Sequence, residues 1–382
     1  PTVSVIDPDP DTGTVIGSLG FTTGPGEQVT YTAPAASAGG GSVTVRPDGS
    51  YSFTPSPAQV AAGVSTDTFT ATARRDLVSS SVVVRVPIGN LSIAVAIHVG
   101  QGPIAVKVTG DGSLVYVANS GDDSVSVINA ATNTVRSTIS VGNEPAGLAL
   151  SPDGSRAYVA NGTGNSVSVI NTGAAATTAT IPVGKGPAGI AVTPDGTRVY
   201  VANRTSRSVS VINTTTNRVT ATIHVGHGPT GLAISPDGTR AYVTNAEDNT
   251  VSVINTATNH VTKTIHVGPA PRGVAVSPDG TVAIVANEGG STVSVINTAT
   301  NHVTTIADVG DNPDFVAFSP DGTRAYVSAL FGRSVSVITL ATGNISTLTV
   351  GTQPEELVVS PDGTRLYVTN YQDGTVWAIH LS

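Results

Sequence analysis

The sequence predicts an all-β fold whose larger part is a seven-bladed β-propeller. Three observations predict it. A Val-Gly pair recurs at Val99, Val141, Val183, Val225, Val267, Val309 and Val350, at spacings of 42, 42, 42, 42, 42 and 41 residues. Each period contains four short runs in which small or polar residues alternate with Val, Ile or Leu, as in Ser166-Val167-Ser168-Val169. No apolar stripe of helical spacing persists. A period of about 40–45 residues with four strands per unit marks a propeller blade.

Within a period the order is fixed. After Val-Gly come two variable residues and a proline, at Pro103, Pro145, Pro187, Pro229, Pro271, Pro313 and Pro354. A short apolar strand follows, then a turn such as Ser151-Pro152-Asp153-Gly154. There proline supplies a pre-set φ and glycine the positive φ that the turn needs. The first copy, Thr109-Gly110-Asp111-Gly112, lacks the proline. The recurring aspartate reads as a turn former rather than a calcium ligand, because no partner carboxylate stands beside it. A second strand such as Arg156–Asn161, a third such as Ser166–Asn171 and a Thr/Val-rich fourth complete the unit. After Val350-Gly351 only three strands remain. Residues 91–98 are therefore expected to supply the missing outer strand and close the ring, removing an open edge.

Composition sets limits. The chain has 382 residues, 39% hydrophobic and 12% charged, which is too apolar and too weakly charged for disorder. A net charge of −8 with no basic run argues against nucleic acid as a partner. No apolar run reaches the roughly 18 residues of a membrane-spanning helix. Cysteine is absent, which excludes disulfides, thiolate catalysis and sulfur-built zinc sites. Methionine is absent too, even at position 1, as expected of a chain processed or cut from a longer one, with any signal peptide upstream.

The repeats resemble the YVTN family of seven-bladed propellers. The namesake motif stands at Tyr242-Val243-Thr244-Asn245 and Tyr367-Val368-Thr369-Asn370, with Tyr-Val-Ala-Asn beginning at Tyr116, Tyr158 and Tyr200. The resemblance covers about residues 91–382 and implies a bacterial or archaeal secreted or surface protein. Related propellers include lactonases and lyases, so the resemblance leaves the activity open.

Residues 1–90 carry no such repeat. They read as seven short strands, Val3–Ile6, Thr14–Phe21, Gln28–Thr32, Ser42–Arg46, Ser50–Thr54, Thr66–Ala73 and Ser80–Val86, separated by turn clusters such as Pro47-Asp48-Gly49. This suits a small β-sandwich. The stretches Gly41–Pro55 and Asp67–Thr72 resemble bacterial Ig-like and cadherin-like modules, which act as spacers and adhesive units. Such modules often bind calcium in an Asp-rich loop. The matching place, Thr23-Gly24-Pro25-Gly26-Glu27, has lost the acids, so that site is not carried over. Asp7, Asp9 and Asp11 form a separate acidic cluster, open to two readings, a calcium loop or a solvated one.

Candidate functional residues are those that break the repeat. At the end of the propeller where each inner strand begins, the loops carry Gln101, Asn143, Glu144, Lys185, His227, Arg272, Asp311, Asp314, Glu355 and Glu356. Variation on a regular frame is where a site is grafted; the plainer reading is solvated loops. His227 with Glu144, Glu355 or Glu356 would make a base and an acid, and Lys185 or Arg272 would hold an anion. No nucleophile elbow and no metal-ligand spacing accompany them, and no cofactor is expected. The repeated histidines His98, His224 and His266, and His260 and His302, read as surface decoration. A second departure is apolar. Leu330, Phe331 and Arg333 in blade six, with Tyr371 in the next blade, replace polar loop residues and read either as a contact patch for protein or glycan or as local packing. Trp377 reads as a core plug at the closure. The expected function is a non-enzymatic binding scaffold for protein or glycan at the cell envelope. The alternative is a lactonase-like hydrolase or lyase with its site at the channel mouth. The oligomeric state is left open.

Overall fold

The computed structural model describes residues 2–5, 15–20, 29–56, 66–75, 78–87 and 94–381. They divide into two compact units, Pro1–Ile93 together with Ser382, and Ala94–Leu381. The acidic cluster Asp7, Asp9, Asp11, the loop Thr23–Glu27 and residues 91–93 lie outside the described residues.

The larger unit consists of seven four-stranded antiparallel sheets. In the first six, the strands follow in chain order. Blade 2, for example, runs Pro145–Leu150, Arg156–Asn161, Ser166–Asn171 and Ala176–Pro182. Blade 7 has Pro354–Val359, Arg365–Asn370 and Thr375–His380, and its fourth strand is Ala94–His98. That pairing is antiparallel, with Thr375 opposite His98 and Trp377 opposite Ala96. Among the described residues the helical element is a single 3-10 turn, Glu288–Gly290.

Position in the blade follows from residue type. The third strands of the first four blades are buried from their first residue through the isoleucine, as Ser166–Ile170 is in blade 2, because a blade lies on either side. Small serines and β-branched residues fill that narrow space on both faces. The fourth strand is mostly exposed but inserts one isoleucine per blade, Ile139, Ile181, Ile223 and Ile265 in the first four. Core clusters straddle neighbouring blades: Ile97, Val376 and Ala378 of blade 7 pack with Val106, Val115 and Ile128 of blade 1. Each such buried valine or isoleucine contributes about 1.5–3 kcal/mol. Trp377 is half-buried against the cluster formed by blades 6 and 7.

Hydrogen bonds explain the fixed residues. Asn161 donates from Nδ2 to Ser166 Oγ and Ser168 Oγ, both at 3.0 Å. A Cβ on Gly142 would lie 2.6 Å from that amide, so the asparagine dictates the glycine of Val-Gly. Each turn aspartate accepts from the hydroxyl two residues before it and the N–H two residues after it, as Asp153 does from Ser151 and Ser155. These donors hold Asp111, Asp153 and Asp321 down at about 2. Arginines at the start of second strands reach the next blade. Arg156 and Arg240 donate to the carbonyls of Thr214 and Thr298, each at 2.6 Å, and Arg365 donates across the closure to that of Ala130.

The smaller unit has seven described strands in two antiparallel sheets. One holds Thr2–Val5, Val15–Gly20, Ser50–Thr54 and Ser42–Val45; the other holds Thr30–Thr32, Thr66–Arg75 and Val78–Pro87. Both contribute to one core, with Leu19, Val43, Tyr51 and Phe53 from the first against Phe69, Ala71 and Val84 from the second. The Tyr51 and Phe69 rings meet edge to face at 5.4 Å.

The closing strand yields a direct prediction. A chain beginning at Ala94 should keep the propeller's thermal transition, whereas one beginning at Val99 should lose several degrees or aggregate. In the full chain, Ile97→Ala should cost about 2–5 kcal/mol. Equal midpoints for the two truncations would show that the fourth strand of blade 7 is dispensable.

Candidate functional site

The first strand of every blade faces the centre, and together these strands enclose a cavity of about 790 Å³. Each inner strand opens with a proline and then loses register against its neighbour. In blade 5, Pro271 pairs with Asn287 and Val274 with Val285, so Arg272 and Gly273 oppose a single residue. The same bulge recurs at Asp314-Phe315 and Glu355-Glu356. A bulge frees residues from the ladder and re-aims their side chains. It is pinned from the second strand: Phe315 N–H donates to Ser328 Oγ at 3.0 Å, and Thr369 Oγ1 donates to the Glu356 carbonyl at 3.0 Å.

In blades 2 to 5 the second bulge residue is glycine. A Cβ on Gly231 would lie 2.2 Å from the Arg272 carbonyl, so inner strands approach closely only through glycine there. Blades 6 and 7 carry Phe315 and Glu356 instead, and blade 1 carries Ala105. The first bulge residue is Ile104, Ala146, Ala188 or Thr230 in blades 1 to 4, but Arg272, Asp314 and Glu355 in blades 5 to 7. Departures from the repeat thus gather on one arc of the channel.

These residues interact. Arg272 Nε donates to Asp314 Oδ1 at 2.8 Å and lies 3.5 Å from Glu288 Oε2. Asp314 foremost, then Glu288, holds the Arg272 guanidinium above its ordinary range against the opposing effect of burial. Asp314 and Glu355 are buried, at 6% and 9% exposure. Burial first, then the charge of Asp314 and a hydrogen bond to it, pushes the Glu355 carboxyl up to about 9, with Arg272 working in the opposite sense. Glu355 therefore carries a proton at neutral pH and shares it with Asp314. Glu356 pairs with Lys107 across the seam between blades 7 and 1, and its Oε2 accepts the Val106 N–H at 3.2 Å. Burial raises the Glu356 carboxyl, while Lys107 and Val106 oppose that rise. Lys107 Nζ also lies 5.6 Å from the centre of the Phe315 ring.

The structure thus brings together Arg272, Asp314, Glu355 and Glu356, and it corrects their assignment to loops: they begin inner strands. Glu144 and Lys185 are exposed residues of loops, where their N–H groups bond Asp123 Oδ1 and Ser206 Oγ at 2.7 Å. His227 is not paired with Glu144, Glu355 or Glu356; its carbonyl accepts the Glu247 N–H at 3.3 Å. Its Nδ1 lies 2.8 Å from Asp248 Oδ1 in its own blade, a partner the sequence reading did not name. Leu330 is buried at 6% exposure and so is no part of an exposed patch. Phe331 is 70% exposed and Arg333 is exposed beside it, at φ 48°. Tyr371 lies over Gly102 of blade 1, where an added Cβ would come 3.0 Å from its ring. Sequence reasoning missed Lys107 and Glu288. Lys107 was open to discovery, standing where five inner strands have alanine and one has valine.

The Glu355 proton predicts a pH dependence. In the unfolded chain this carboxyl ionises near its ordinary 4.5, and in the fold near 9. Its contribution to stability is therefore fully present below the lower value and lost as pH rises through the upper one. The turn aspartates act with the opposite sign, losing their contribution as pH falls through about 2. Thermal midpoints should fall between pH 5 and pH 9 in the parent protein, and Glu355→Gln should flatten that slope. Parallel slopes would place the buried proton elsewhere.

Two family profiles match parts of the chain. A Choice-of-anchor I domain matches residues 123–266, and a YNCE-like beta-propeller matches residues 232–332. Each spans less than half of the sequence. No curated protein matches the chain. Among solved structures, 1236 chains match. One, from Kuenenia stuttgartiensis hydrazine synthase, is 25% identical with a TM-score of 0.70, over 74% of this chain and 96% of that one. The chain is thus similar to β-propellers, and in part to a Choice-of-anchor domain.

Proposed function

We propose that this chain is a secreted or surface-displayed binding protein of the cell envelope. Its propeller holds a ligand in the central channel, and its first ninety residues form an Ig-like spacer module. The Choice-of-anchor match over residues 123–266 supports the envelope location, as do the YVTN repeats. The ligand-binding reading rests on one observation. Three consecutive blades place Arg272, Asp314 and Glu355 where the other four have Ile, Ala, Ala and Thr, inside a cavity of about 790 Å³. Burying charged groups is unfavourable even when they are paired, and the same backbone is built in four blades without them. The ring does not require this cluster, whereas a recognition site does.

A second reading, a hydrolase or lyase at the same place, is favoured by the Asp314–Glu355 pair. Two buried carboxyls side by side, one of them holding its proton, are the equipment of general acid–base chemistry. The exposed Phe331 and Arg333 offer a separate contact face for a protein or glycan partner.

The immobilised full chain should capture components from glycan and peptide arrays, and Ala188→Trp, which fills the channel, should abolish capture with an unchanged Tm. Capture that survives Ala188→Trp but is lost in Phe331→Ser would move the contact to the outer face. Chemical conversion of a captured component that stops in Glu355→Gln would establish the second reading.

A further inference from the structure

We propose that the Asp314–Glu355 pair seats an ammonium group and that Arg204, across the mouth, meets an anionic group. The channel would then take a small zwitterion such as a short peptide with free amino and carboxyl ends. This inference rests on the channel being the ligand site.

The argument is one of charge and position. Around Glu355 stand Asp314 on the blade 6 inner strand, Arg272 on the blade 5 inner strand, and Glu288 in the 3-10 turn after the second strand of blade 5. Glu356, next in the chain, lines the same cavity but is already paired with Lys107. The first group therefore has three carboxyls and one fixed cation. Burial, and then the charge of Asp314, keep the proton on Glu355. An incoming ammonium supplies a second cation, and the proton leaves to solvent as Glu355 ionises. Arg272, 2.8 Å from Asp314, opposes a doubly charged metal ion there about twice as strongly as a singly charged ammonium.

The opposite side of the mouth differs. Arg204 lines the same cavity from the loop after Arg198–Asn203 in blade 3. It is exposed and makes no ion pair among the described residues. In a seven-membered ring, blade 3 faces the junction of blades 6 and 7. On the Arg204 side the wall is Ala188 and Gly189 of the same blade, flanked by Ala146 and Thr230, small side chains that leave room for a backbone. The cavity of about 790 Å³ lies within the roughly 300–1,000 Å³ of small-molecule sites.

The test is isothermal titration of the full chain at pH 7 with trialanine, N-acetyl-trialanine and trialanine amide, each in phosphate and in Tris. Free trialanine should bind with a buffer-dependent heat equal to release of about one proton. N-acetylation should weaken binding at least about tenfold. Amidation should weaken it too, but not further in Arg204→Ala. Glu355→Gln, which still donates to Asp314, should remove the proton release. Equal binding of the acetylated peptide, heat that does not depend on buffer, or no binding of any of the three overturns the proposal. In each case the Ala188→Trp capture experiment separates the two levels. If capture is lost in that variant, the channel reading stands and only the zwitterion falls; if capture is intact, both fall.

Discussion

A ring is held only as well as its last seam, and here that seam joins blades 7 and 1. It is fastened at several radii. At the rim, Ala94–His98 pairs with Thr375–His380. In the middle, Ile97, Val376 and Tyr367 pack with Val106 and Val115. At one end of the blades, Arg365 donates to the Ala130 carbonyl. At the channel, Glu356 accepts from Val106 and pairs with Lys107. The last contact replaces the glycine-mediated approach of blades 2 to 5. The pair of half-buried Lys107 and buried Glu356 is thus accounted for by closure, which separates it from the Arg272–Asp314–Glu355 set. The latter spans blades that chain continuity already joins.

The bulge explains why chemistry gathers where it does. Every inner strand must turn inward after its proline, and two residues there oppose one on the neighbour. Their side chains are released from ladder pairing while their backbone is pinned by hydroxyls such as Ser328 and Thr369. A position of this kind tolerates Ala, Thr, Arg, Asp or Glu with the same backbone. A single geometry repeated around a channel is therefore a rack on which charges are placed independently.

Much of this was legible in the sequence, because a repeat exposes its own exceptions. The blade order, the turn aspartates and the departures at Arg272, Asp314, Glu355 and Glu356 follow from comparing one period with the next. What could not be read was partnership. Lys107 and Glu356 stand at opposite ends of the propeller sequence and meet only because the ring closes. Glu288 reaches Arg272 because a 3-10 turn carries it there. His227 looked available until Asp248, on its own blade, was found against it. Leu330 read as surface because its neighbours are polar loops, yet its side chain is buried. In the smaller unit, seven strands fall within a few residues of their expected places, because alternation as strict as Ser50-Tyr51-Ser52-Phe53 admits one register.

The order of synthesis gives the closing strand a further meaning. Ala94–His98 emerges before any blade of the propeller, and its partner Thr375–His380 emerges last. Until the seventh blade is made, this first strand of the propeller has no mate, and blade 1 presents a bare flank lined by Val106, Val115 and Ile128. The first four blades have nearly interchangeable third strands, so they offer that flank many near-correct substitutes. Nascent chains are therefore most prone to swap strands with one another in the interval before the seventh blade is complete, and slowing the ribosome anywhere between the first and seventh blades should lengthen that exposure.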